Sequence, residues 1–222
     1  MSTVDLTIQV GAETTSAIYE PATTGTDRAL FVCAHGAGGT MSDRGMAATA
    51  RMLREQGFGV VRFNFLYRER KSGRPDPMPK LMETVAAVVA GTRAQFAPAR
   101  LVIGGRSMGG RAASMLAADG FSANGLLLLA YPLHPAGQPE KLRDAHLPRI
   151  AMPVLCVNGT RDPLCTPRFM ARAVAAVTAP WEMHWIEGAD HSFHVLKSSG
   201  RTDADVLAEI GRTARAWLDH LP

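Results

Sequence analysis

The sequence has little of several features that would mark it as something other than an ordinary globular protein. It has only three cysteines in 222 residues, Cys33, Cys156 and Cys165. So few, and odd in number, they exclude a disulfide scaffold and are read as reduced thiols in a cytoplasm. Long hydrophobic runs are missing. The longest, Leu126–Leu133, falls far short of the roughly 20 residues that span a bilayer, so no membrane partner is expected. The start, MSTVDLTIQV, has neither a basic head nor a continuous apolar stretch and is not read as a secretory signal. There is no internal repeat and no low-complexity block. Charge of one sign is scarce too: 24 Lys+Arg stand against 20 Asp+Glu. Residues 62–74 hold Arg62, Arg68, Arg70, Lys71 and Arg74 against Glu69 alone, which accounts for the whole net excess of +4. One basic loop without a nucleic-acid motif is not the footprint of a duplex-binding surface, so no nucleic-acid partner is expected.

With 46% apolar and 20% charged residues, the chain has the composition of a folded domain, and 222 residues suit one domain over 1–222. Residues 3–10 and 15–19 alternate apolar and polar, as an antiparallel pair of strands would. The continuous apolar runs 29–34, 60–65, 101–103, 126–130 and 154–157 suit parallel strands buried on both faces. Helical patterns lie between and after them, over 42–56, 79–96, 107–118, 167–177 and 203–218. The last opens with a capping box, Thr202-x-x-Asp205. Strand and helix in alternation define an α/β fold with a mostly parallel central sheet, helices on both faces and right-handed crossovers. In such a fold the site lies at the carboxyl ends of the strands.

Three motifs fall at those ends. Gly105-Arg106-Ser107-Met108-Gly109 matches G-x-S-x-G between an apolar strand and a helix. This sharp turn exposes a serine hydroxyl above the sheet and forces its neighbours two residues away on either side to be small. The bland alternative is a Gly-rich turn that merely starts a helix. After Ser107, Asp162 lies in the turn following the run 154–157, and His191 follows the run 181–187. Nucleophile, acid and histidine in that chain order suit a general base, His191, oriented by a carboxylate, Asp162. Asp190 and Glu187 are rival acids, His194 is a rival base, and Asp162 could be only a turn-former before Pro163. His191-x-x-His194 lacks a third ligand at useful spacing, so neither metal nor cofactor is expected.

His35-Gly36-Ala37-Gly38-Gly39 follows the first buried strand. A turn there supplies an oxyanion-binding N–H, assigned to Ala37, with the second from Met108 after the nucleophile. His35, Gly36, Leu133 and His134 are expected to line a substrate pocket, although a structural role for His134 is an equal reading. The connection 132–153 is too short for a large helical lid, so the pocket should be open and the partner a small molecule. The basic loop emerges on the same sheet edge as Ser107. Arg68, Arg70, Lys71 and Arg74 either steer an anionic substrate or are solvated and paired with Glu69 and Asp76.

The segments HGAGG, GGRSMGGRAASM, YPLHPAGQPEKLR, NGTRDP and GADHSF, in this order, resemble the small bacterial α/β-hydrolases near dienelactone hydrolase. They are especially similar to the subgroup related to the testis-expressed protein 30. The resemblance covers roughly residues 29–200. It implies an α/β-hydrolase fold without a large cap and a Ser–Asp–His triad at Ser107, Asp162 and His191. Dienelactone hydrolases proper usually carry cysteine as nucleophile, where this chain has Ser107. The expected activity is that of a serine hydrolase acting on an ester or thioester through an acyl-enzyme. The alternative is a non-enzymatic interaction protein that retains the fold.

Overall fold

The computed structural model describes residues 2–24 and 28–222. The expected antiparallel start is present: β1 (Val4–Val10) and β2 (Glu13–Glu20) pair from Val4 opposite Tyr19 to Val10 opposite Glu13. Their alternation is visible in burial, with Leu6, Ile8, Val10, Thr15, Ala17 and Tyr19 facing inward. The remaining strands are β3 (Ala29–Ala34), β4 (Phe58–Phe63), β5 (Leu101–Arg106), β6 (Gly125–Leu129), β7 (Val154–Gly159) and β8 (Trp181–Ile186). They complete an eight-stranded sheet in the order β1-β2-β4-β3-β5-β6-β7-β8. β2 meets β4 antiparallel, and every pairing from β4 onward is parallel.

The continuous apolar runs divide their side chains between two cores, as the two-residue period of a strand requires. Leu30, Val32 and Ala34 of β3 join Leu126 and Leu128 of β6 on one face. There they pack against α3 (Met78–Phe96), α4 (Met108–Ala118) and α5 (Pro167–Val174), through Val85, Val89, Ala113 and Met170 among others. Ala29, Phe31, Cys33, Leu127 and Leu129 face the opposite way. Their partners are Met46 and Leu53 of α1 (Arg44–Glu55) and Val206, Ile210 and Trp217 of α6 (Asp203–Asp219). Each fully buried Leu or Phe contributes about 1.5–3 kcal/mol over an exposed one, which is why unbroken apolar strands belong at the centre of the sheet. The capping box of α6 is formed. The Asp205 amide donates to Thr202 Oγ1 at 3.2 Å, and the Thr202 amide donates to Asp205 Oδ2 at 2.8 Å.

Two local differences from expectation have clear causes. The strand expected over 60–65 is displaced to 58–63, because Gly57 at φ 89 turns the chain out of α1 and frees Phe58 to pair with Ala29. Beyond it the basic loop carries one short helical turn, α2 (Leu66–Glu69), which periodicity alone is too short to reveal.

The chain runs from β3 to β4 on one side of the sheet and then crosses to β5 on the other. The carboxyl ends of β3 and β5 therefore flank the switch point where α/β sheets open a crevice. His35–Gly39 leaves β3 there, and Ser107 leaves β5.

Candidate active site

The turn at Ser107 is the most strained feature of the site. Ser107 has φ 49 and ψ −118, and the α4 helix begins at the next residue. A non-glycine residue in this region costs about 1–3 kcal/mol and persists only where the surroundings impose it. Here they do. The Ser107 amide donates to Leu129 O at 2.9 Å, and Ser107 O accepts from Arg111 N–H at 3.0 Å. The glycines on either side are required by close backbone approach. A Cβ on Gly105, at φ 142, would lie 2.2 Å from Ala34 O, and one on Gly109 would lie 2.5 Å from the same oxygen. Both glycines thus press on β3, which brings the Gly36 turn against the nucleophile. A Cβ on Gly36 would stand 3.4 Å from Ser107 Cβ.

The structure brings Ser107, His191 and Asp162 into one line. Ser107 Oγ lies 2.9 Å from His191 Nε2, and His191 Nδ1 lies 2.7 Å from Asp162 Oδ2. A carboxylate only accepts, so Nδ1 carries the proton and Nε2 is free to accept from the serine hydroxyl. The Asp162 side chain has no exposed surface, while that of His191 is 26% exposed. Asp162 is further held by the Leu164 amide at 2.8 Å on Oδ1 and by Asn158 Nδ2 at 3.1 Å on Oδ2.

The rival residues are placed elsewhere. His194 points outward and forms an ion pair with Asp203 at 3.0 Å; that bond raises its pKa above the ordinary histidine value. Asp190 shapes the loop that carries His191. Its Oδ1 accepts from the amides of Ser192 at 2.8 Å and His194 at 3.0 Å. Glu187 is exposed at the end of β8.

A cavity of about 490 Å³ opens beside Ser107, lined in part by Gly36, Ala37, Asp43, Arg106, Ser107 and His191. The Ala37 amide makes no hydrogen bond within the described residues. Met108, as the first residue of α4, has an amide without an intrahelical acceptor. His35 does not line this space. Its ring is fully buried and props the turn from below, with Nδ1 donating to Gly36 O at 2.8 Å and Nε2 accepting from the Phe65 amide at 3.2 Å. Burial holds its pKa below the ordinary value, which keeps the ring neutral in that role.

Leu133 and His134 also lie away from the cavity, contrary to the expected pocket wall. Leu133 is fully buried. His134 faces the start of α5, where Nε2 accepts from the Thr166 amide at 3.0 Å and Nδ1 lies 3.1 Å from Pro135 O. The wall on that side is Leu164.

Two of the five cations of the basic loop, Arg62 and Arg70, are paired with carboxylates within the fold. Arg62 is buried in β4 and paired with Glu20 at 2.8 Å. Arg70 bridges Glu13 and Asp76, and Arg68 donates to Ser72 O at 3.1 Å. Glu69 pairs with no arginine; it accepts from the Ser16 amide and Asn64 Nδ2, both at 3.0 Å. The positive residue that does reach the cavity is Arg106, inside the elbow motif itself. Its signal was a charged residue immediately before the serine.

An eight-stranded sheet of this order, with a hydroxyl, an imidazole and a carboxylate in register above its carboxyl edge, defines an α/β-hydrolase fold. The chain belongs to the Alpha/beta hydrolase domain family, whose profile matches residues 27–219. Solved structures agree in fold. An alpha-beta serine hydrolase homologue from Coxiella burnetii superposes with a TM-score of 0.77 at 22% identity, covering 100% of this chain and 99% of the other. A serine hydrolase without lid from Xanthomonas campestris gives 0.78 at 23% identity, covering 100% and 97%. Dienelactone hydrolase from Anabaena variabilis gives 0.76 at 18% identity, covering 99% and 98%. No described helix is long and apolar enough to cross a membrane.

Proposed function

We propose that the protein is a serine hydrolase that cleaves a small ester or thioester through an acyl-enzyme. The observation that carries this reading is the unbroken relay from Ser107 Oγ through His191 to buried Asp162, at 2.9 and 2.7 Å. In the first half-reaction Ser107 Oγ bonds to the acyl carbon while its proton passes to His191 Nε2. Asp162 stabilises the imidazolium that results and keeps its tautomer fixed. The amides of Ala37 and Met108 receive the oxyanion, where each donor is worth about 10²–10³ in rate. The tetrahedral intermediate collapses by breaking the bond to the leaving group, which takes the proton from His191 Nε2. In the second half-reaction water gives a proton to Nε2, attacks the same carbon and releases the acid, and the proton returns to Ser107.

The open cavity supports a small or medium substrate and a protein without a large cap. Residues 1–222 are read as one domain, and the unbridged thiols support a reducing, cytoplasmic setting. Within the family, the five quoted motifs support the subgroup related to the testis-expressed protein 30.

Kinetics on short p-nitrophenyl esters and acyl thioesters test the reading. Ser107→Ala and His191→Ala should each remove nearly all turnover, and the double variant should be no worse than either, because the members act as a unit. Wild-type rates equal to those of Ser107→Ala on every substrate contradict it.

A further inference from the structure

Arg106 ends β5 and directly precedes Ser107. It is half-buried on the cavity wall, and among the described residues its side chain forms no hydrogen bond and no ion pair. Its guanidinium lies 5.3 Å from the ring centroid of Phe193, on the same loop as His191, so one face is fixed against an aromatic ring. None of its nitrogens is among the fully buried, unpaired polar atoms, and Nη1 lies 3.8 Å from where a Cβ on Gly45, another cavity-lining residue, would stand. The nearby carboxylates are engaged otherwise. Asp43, on the same wall, takes the Thr40 amide at 2.8 Å and Thr40 Oγ1 at 2.9 Å. Asp190 takes the two amides of its own loop. A half-buried cation without a direct carboxylate contact is costly to keep: burial lowers its pKa from the usual arginine value, the Asp190 charge acts on it only from beyond contact distance, and the guanidinium stays charged. Asp43, Gly45 and Met46, at the start of α1, line the cavity too, and the Asp43 carboxylate offsets the positive end of that helix.

We propose that Arg106 is a specificity residue for the hydrolase reaction: it anchors a free carboxylate carried by the substrate, which makes the substrate class a carboxylate-bearing ester or thioester. The planar fork of a guanidinium matches the two oxygens of a carboxylate, whereas a neutral ester leaves it unpaired. With Arg106 and Ser107 on one wall, the carboxylate and the scissile carbonyl must fit together in about 490 Å³, which suits a short chain between them. This rests on the hydrolase reading above, and the test separates the two.

The test compares kcat/KM of the wild type, Arg106→Gln and Arg106→Lys on two pairs of esters. One pair is the mono-p-nitrophenyl ester of glutaric acid against p-nitrophenyl valerate, with the charge on the acyl side. The other is the acetate ester of 4-hydroxybutyrate against butyl acetate, with the charge on the alcohol side. In at least one pair, the charged-to-neutral ratio should fall about tenfold or more in Arg106→Gln, chiefly through KM, and recover in part in Arg106→Lys. Ratios unchanged in both pairs overturn the proposal, whatever happens to the absolute rates, because loss of the Phe193 contact alone would affect both esters alike. Glutarate titrated into wild type and Arg106→Gln, followed by calorimetry, reads the anion site without turnover. If the wild type hydrolyses nothing and Ser107 takes no fluorophosphonate, the hydrolase reading fails. Weaker glutarate binding by Arg106→Gln then still keeps the carboxylate anchor, and equal binding overturns it.

Discussion

Asn158 Nδ2 donates at 3.1 Å to Asp162 Oδ2, the same oxygen that lies 2.7 Å from His191 Nδ1. Asn158 is fully buried at the end of β7, and its amide also spans to the neighbouring strand: Oδ1 accepts from the Tyr131 amide at 3.0 Å and Nδ2 lies 3.1 Å from Tyr131 O. One side chain therefore ties the chain leaving β6 to the carboxylate of the relay.

Asn158→Ala should weaken both activity and stability. It leaves the Tyr131 amide buried without a partner, a loss of about 1–3 kcal/mol, while Tyr131 O keeps the Leu133 amide at 3.1 Å. Thermal denaturation should show a fall in Tm of at least about 2–4 °C for each kcal/mol lost. A kcat lowered with little change in KM, measured well below that Tm, would mark Asn158 as a positioning residue for Asp162. An unchanged kcat would leave it as a strand tie only.

Gly109→Ala should be far more damaging than its position in a helix suggests. The added Cβ would stand 2.5 Å from Ala34 O and 2.6 Å from His35 O, so α4 must lift off β3. Overpacking of this kind costs about 1–3 kcal/mol. Gly73→Ala, with nothing within 4 Å of the new methyl group, serves as the control. Urea midpoints of the two variants should differ clearly, and equal midpoints would show that the α4–β3 contact yields easily.

His146 sets a pH dependence of stability away from the site. It is buried behind α4, with Nε2 2.8 Å from Ser114 Oγ, and burial together with Arg111 and Arg149 lowers its pKa from 6.5 to about 4. In that window the unfolded chain binds a proton that the folded chain does not. The contribution is therefore complete above pH 6.5 and is lost as pH falls towards about 4. Stability measured across this range should decline more steeply for the wild type than for His146→Gln. Parallel curves would remove His146 as the cause.

Much of this arrangement was legible in the residues themselves. Unbroken apolar runs such as Ala29–Ala34 reported parallel strands because both of their faces are buried, and the elbow was visible because its geometry tolerates so few residue types. What stayed hidden depends on long-range partners. Arg62 reads as loop charge until Glu20, 42 positions earlier, is found beside it. Leu133 and His134 follow a central strand, as pocket residues do, yet the chain turns inward there and His134 meets Thr166 instead. Arg106 and Asn158 were in plain view inside recognised motifs. Their significance comes from which neighbours they have, or lack, in three dimensions.

The central claim is that Ser107 is a nucleophile activated by His191. The most direct measurement is labelling by a fluorophosphonate probe with the modified residue mapped by peptide mass spectrometry. The account predicts one label per chain, carried on Ser107, absent in Ser107→Ala and much slower in His191→Ala. A label carried elsewhere, or no label together with no ester or thioester turnover, would contradict it and point to a non-enzymatic protein built on the same fold.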